Sequence, residues 1–166
     1  MSSVASFFGA HDIGSFYTQL FLGFRSGCVG ESSILLILLG GLFLLVIGVI
    51  QWIVPLTVIG STFVFSWMMG MDPIFAILSG GVIFGAFFMA TDYATRPLTD
   101  TGQALFGVGI GLITVLIRKL GGYPEGVTYA ILIMNVLTPY LNKLRGKKYG
   151  FVPPPKPVKP TKEAAR

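Results

Sequence analysis

The sequence predicts an all-α, polytopic membrane protein with five transmembrane helices. Three observations predict it. Hydrophobic residues make up 53% of the 166 and charged residues only 11%, against about 25% charged in soluble chains. Mean hydropathy is +0.77, and the few charges bound long uncharged runs instead of alternating with apolar residues. A water-soluble domain of this length needs far more polar surface, so a soluble enzyme is excluded. One cysteine (Cys28) and one histidine (His11) exclude an internal disulfide, a multi-cysteine metal site and bis-histidine haem ligation by this chain alone.

Forty consecutive uncharged residues lie between Glu31 and Asp72. As helix they would extend roughly 60 Å at about 1.5 Å per residue, enough to cross a ~30 Å hydrocarbon core twice. The break falls at Gln51-Trp52, with Pro55 opening the second span. Three more uncharged runs follow at 73–91, 101–117 and 126–142, of 19, 17 and 17 residues. The helices are therefore expected near 33–50, 54–70, 73–91, 101–119 and 126–144. Asp72-Pro73 supplies a cap and a first-turn proline, and Asp100 with Gln103 resembles a capping box. Arg118 and Lys119 suit the last turn of the fourth helix, which Gly121-Gly122 can end. Tyr123-Pro124-Glu125 opens the fifth.

The chain divides into an interfacial N-terminal segment (1–30), a five-helix transmembrane domain (31–145) and a disordered, basic, Pro/Lys-rich cytoplasmic tail (146–166). The N-terminus lacks the basic start of a signal peptide. Residues 1–142 hold four basic and six acidic groups, whereas 143–166 hold eight basic groups against Glu163, so the whole net charge of +5 sits at the C-terminal end. That end follows an apolar span and interleaves few aromatics with its lysines, which argues against nucleic acid and for a juxtamembrane anchor. Five crossings put the termini on opposite sides. With the tail inside, Arg96 and the eight C-terminal cations face the cytoplasm, and Arg25, Arg118 and Lys119 lie outside.

Gly81/Gly85 and Gly107/Gly111 are GxxxG pairs that let helices approach closely. Ser79-Gly80-Gly81 lies mid-span and marks either a broken helix or a close contact. Asp92 is the acid nearest the membrane core, and Thr91 and Thr95 could add oxygens to it. That makes the three candidates for an ion path, with an interfacial cap or an Arg96 partner as the plainer readings of Asp92. Glu31 is a further ion-path candidate or a helix cap. Asn135 suits an interhelical hydrogen bond, and Cys28 a packed position. No nucleotide loop, catalytic triad or metal motif is present.

The segments GAFFMATD (85–92) and FGVGIGLITVLIRKLGGYPEGVTYAILIMN (106–135), preceded by LFLGFRSGCVGESS (20–33) and IFAILSGGVIFGAFF (74–88), carry a specific resemblance. The stretch ending near Leu144 resembles the D subunit of the Rnf ion-translocating electron-transport complex, homologous to the B subunit of the sodium-translocating NADH:quinone oxidoreductase. The resemblance implies a non-autonomous subunit of an ion-translocating oxidoreductase in a bacterial or archaeal cytoplasmic membrane. Its partners would be the other subunits of an Rnf-type complex. Family members are about twice this length, with two inverted five-helix halves, of which this chain matches the C-terminal one. FMN or riboflavin is implied as cofactor. Members attach FMN to a threonine in a Ser-Gly-Ala-Thr type motif upstream of the segment equivalent to 20–33, and that motif is absent here. The covalent flavin would then belong to a missing N-terminal portion, to a separate chain carrying the N-terminal half, or to neither, the chain being a split, internally started or truncated subunit. The alternative is a non-redox half-repeat acting as scaffold or solute pore.

Two expectations follow directly. Intact-mass measurement of the denatured chain should show no added FMN; an FMN-sized increment would place the acceptor within this sequence. Reporter fusions after Arg145 should give cytoplasmic-type activity, and periplasmic-type activity there would invert the topology.

Overall fold

A computed structural model of the chain describes residues 17, 18, 21, 22, 33–122 and 125–143. His11, Cys28, Glu31, Tyr123-Pro124, the C-terminal tail and most of the 1–30 segment lie outside the described residues. Among those described, every regular element is helical. Helix α1 is Ile34–Ile47, capped by Ser33, whose hydroxyl accepts from the Leu36 amide, and ended by Gly48 at φ 81°. Helix α2 is Ile53–Met68, with Pro55 in its first turn. Helix α3 is short, Pro73–Leu78; the Asp72 carboxylate caps it by accepting from the Ile74 amide at 3.1 Å. Helix α4, Val82–Phe84, passes directly into a π-helical turn, Gly85–Met89. Helix α5 is Asp100–Gly121, ended by Gly122 at φ 66°, and α6 is Gly126–Lys143.

Of the two readings of Ser79-Gly80-Gly81, the broken helix holds: the third apolar run divides there into α3 and α4. One expectation is corrected, because the capping box at Asp100 and Gln103 does not form. Thr99, already extended after Pro97, is the cap and accepts from the Gly102 amide at 3.2 Å. Gln103 instead turns back and donates to the Pro97 carbonyl at 3.0 Å. By length and composition, Asp100–Gly121 is the one described helix that can cross a membrane unaided; Ile34–Ile47 and Ile53–Met68 are apolar but shorter.

The α2–α5 seam is built on small residues. Thr57 and Val58 face Gly107, Ser61 and Thr62 face Gly111, and the Lys119 ammonium donates to the Met69 carbonyl, 50 positions earlier in sequence. A constant offset along both helices means that they run parallel. Helix α6 runs antiparallel to α5, since Met134 meets Gly109 and the Leu141 carbonyl lies by Gly102. Ser61 ties the seam further by donating to the Gly107 carbonyl at 3.2 Å. Three other buried hydroxyls bond their own helix, Thr62 to Val58, Thr114 to Ile110 and Thr138 to Met134, whereas Ser66 Oγ is buried without a partner. Such back-bonding hides a polar group where water is absent.

Helix α4 and the π-helical turn that follows it join two apolar clusters. Val82, Ala86 and Ala90, four residues apart, pack with Val58, Phe106 and Ile131. On the other side Ile83 and Phe87 pack with Ile34 and Ile37 of α1. Large apolar side chains meanwhile face outward on every long helix, among them Phe43, Trp67, Leu116 and Val136, as a lipid-facing surface requires. At one end of the bundle the Leu98 amide donates to Asn142 at 2.8 Å, joining the 92–99 loop to the end of α6. The opposite end gathers the end of α2, the start of α3 and the end of α5. There the Tyr17 hydroxyl donates to Asp72 at 2.6 Å, and that bond pushes the phenol pKa up to about 12.

A methyl group at Gly111 would lie 2.0 Å from Ser61 Oγ and 2.8 Å from the Thr62 amide nitrogen, so the helices would have to part. Gly111→Ala should destabilise by about 1–3 kcal/mol. Gly60→Ala, where a methyl meets nothing within 4 Å, should instead stabilise by up to ~1 kcal/mol. Thermal unfolding in detergent separates the two.

Candidate functional site

The site centres on the break in the third apolar run. Gly80 and Gly81 both adopt left-handed backbone, at φ 61° and 68°, which side chains disfavour by roughly 1–2 kcal/mol per residue. Ser79 is extended, and its amide closes α3 on the Phe75 carbonyl at 2.9 Å. In a continuous helix the carbonyls of Ala76, Ser79 and Gly80 would accept from amides four residues on. Here the Arg118 guanidinium takes all three. Nη1 donates to Ala76 O, while Nη2 donates to Ser79 O at 2.9 Å and Gly80 O at 3.3 Å. The Gly81 carbonyl resumes helical bonding with the Gly85 amide at 2.8 Å.

Arg118 reaches the break because of its place on α5. It lies on the stripe of Gly107, Gly111 and Thr114, which is buried, and a helical side chain leans toward its helix N-terminus. It is 8% exposed, so it is an interior cation and not the surface cap that its last-turn position suggests. Its neighbour Lys119 is exposed and bonds the Met69 carbonyl at 2.9 Å. The two consecutive cations thus hold the carboxyl ends of two different elements. Composition alone missed the role of Arg118; its register with the two glycines is the signal that could have found it.

The ion-path candidates Thr91, Asp92 and Thr95 follow the π-helical turn Gly85–Met89. Asp92 is exposed, and Thr95 donates to its Oδ2 at 3.2 Å. Thr91 is buried and donates instead to the Phe87 carbonyl inside the π-helical turn, so it does not join them. Glu31 lies outside the described residues. The Asp92 carboxylate does not pair with Arg96, whose guanidinium sits 5.7 Å over the Tyr93 ring with Nη1 buried and without a hydrogen-bond partner. Asn135 makes no interhelical bond through its Oδ1, which is buried without a partner, as is Gln103 Oε1. Gly81 of the first GxxxG pair serves the break, while Gly85 packs on Val127 and Ile131. Among the described residues no three His, Cys, Asp or Glu side chains cluster as a metal site.

A family model described as the NQR2, RnfD, RnfE family matches residues 2–150. The chain belongs to this family. The match reaches well upstream of the segment that begins at Leu20, so the N-terminal residues are part of the family pattern. Among curated relatives is the D subunit of the Na(+)-translocating ferredoxin:NAD(+) oxidoreductase complex of Acetobacterium woodii. The chain is 47% identical to it over 135 residues, covering 80% of this chain and 42% of that one. To the D subunit of the proton-translocating ferredoxin:NAD(+) oxidoreductase complex of Clostridium ljungdahlii it is 46% identical over 137 residues, covering 78% and 41%. To the D subunit of the ion-translocating oxidoreductase complex of Stutzerimonas stutzeri it is 39% identical over 138 residues, covering 78% and 39%. The chain spans about two-fifths of the length of these relatives.

The described residues do not fit the flavin that the NQR2, RnfD, RnfE resemblance implies. Half-buried Thr57 and buried Thr62, Thr91 and Thr114 direct their hydroxyls to carbonyls of their own helices. A groove of about 440 Å³ is lined by Tyr17, Thr18, Phe21, Leu22, Leu35 and Leu78. Its surface is almost wholly apolar, and the Tyr17 hydroxyl is taken by Asp72.

Proposed function

We propose that this chain is a membrane subunit of a redox-driven, ion-translocating ferredoxin:NAD(+) oxidoreductase complex and forms part of its ion path. The observation that carries this reading is the 47% identity over 135 residues to the D subunit of such a complex. The chain is not catalytic by itself. It lies in a bacterial or archaeal cytoplasmic membrane with five crossings, as one half of an inverted repeat, and with its C-terminus in the cytoplasm. The parallel run of α2 and α5, with α6 antiparallel to α5, supports alternating crossings. The covalent flavin belongs to the part of the relatives' length that these residues do not span. Peptides of residues 1–166 from the purified complex should therefore carry no flavin on mass analysis.

Asp92 is the ion-coupling group in this reading. An exposed carboxylate with a hydroxyl 3.2 Å away, at the end of an apolar helix, offers a hard cation the oxygen ligands it prefers. Thr95 is its companion, Thr91 bonds the Phe87 carbonyl instead, and Glu31 is a further candidate. Asp92→Asn removes the charge and keeps the size. In the reconstituted complex it should assemble with unchanged subunit content and lose ion-dependent membrane-potential generation. Normal ion transport by the variant would return Asp92 to an interfacial role, and loss of assembly would make it structural.

A further inference from the structure

We propose that the carbonyl cluster at the break between α3 and α4 is a cation site, which Arg118 fills with its own guanidinium. Three backbone oxygens, of Ala76, Ser79 and Gly80, converge on one buried positive group. They converge because two left-handed glycines turn the chain away before those carbonyls can be paired within a helix. Unwound carbonyls inside a membrane bundle are the ligands that suit a monovalent cation. Arginine brings that cation covalently attached, in a planar form whose two terminal nitrogens serve different carbonyls at once. Arg118 comes from α5, a different element, so the site is assembled by packing and its occupant can be removed while the carbonyls stay.

The test is chemical replacement of the occupant, in the full chain within its purified complex. It reads stability and local exchange, and so stands apart from the redox reading. Arg118→Ala should lower the unfolding midpoint of this subunit by roughly 5–10 °C. It should also raise amide exchange in the peptide spanning 74–88. Guanidinium chloride at millimolar concentration, with choline chloride holding ionic strength, should reverse both changes saturably. Wild type and Lys119→Ala should show no saturable response, because Lys119 binds an exposed carbonyl. An unchanged midpoint and exchange in Arg118→Ala, or no saturable recovery with guanidinium, would overturn the proposal. A second comparison holds if the alanine variant does not fold. Arg118→Lys keeps a cation and should retain more stability than Arg118→Gln, which keeps only neutral donors. Glutamine equal to or better than lysine would show that the carbonyls require donors alone and not a positive charge.

Discussion

Three main-chain oxygens hang on one guanidinium, and the rest of the bundle is arranged around that dependence. An unpaired carbonyl in an apolar interior costs several kcal/mol, so a helix cannot simply stop halfway through such a region. By capturing the carbonyls of Ala76, Ser79 and Gly80, Arg118 lets α3 end and α4 begin on a new heading. That heading sends Val82, Ala86 and Ala90 into the α2–α5–α6 core, and Ile83 and Phe87 toward α1. The desolvation of the arginine is offset by the same dipoles that it satisfies.

Elsewhere the interior follows the logic of a medium in which apolar burial gives helices no reason to associate. Lipid tails are as apolar as leucine, so helix contact has to come from close fit and from hydrogen bonds. The α2–α5 seam is accordingly glycine against threonine and serine, while the bulky side chains Phe43, Trp67 and Leu116 face away from the bundle. A soluble protein would have them the other way round. Hydroxyls such as Thr62 and Thr114 bend back to their own helices, and so bring polarity inside without a partner from a neighbour.

The helices were legible from uncharged runs because charge is what the apolar medium excludes; Asp72, Asp100 and Lys119 all fall at or next to helix ends. The Gly107/Gly111 contact was legible because a four-residue spacing maps directly onto one helical face. The break was half legible: Ser79-Gly80-Gly81 names the place, but only the αL backbone of both glycines distinguishes a turn from a tight packing contact. Two readings lost out to other near neighbours. Gln103 was drawn to the Pro97 carbonyl, six residues back, and Arg96 to the Tyr93 ring, three back, and spacing alone does not say which near neighbour a side chain takes. Thr91 beside Asp92 failed for a subtler reason. The π-helical turn before it puts its hydroxyl over the Phe87 carbonyl instead of beside the carboxylate.

The constant register of α2 against α5 acts as a ratchet with no second tooth. Moving α5 along α2 by one residue would bring Val108 and Leu112 toward Thr57 and Ser61, at a separation where even a methyl is 2.0 Å or less from a hydroxyl oxygen. A two-residue shift would return a glycine, Gly109, to only one of these positions, and any shift would carry Lys119 off the Met69 carbonyl. These two helices therefore translate as a single body, a rigid keel. Any relative displacement of the bundle has to be taken up by the parts that lack such teeth: α1, α3 and the hinge of paired glycines between α3 and α4.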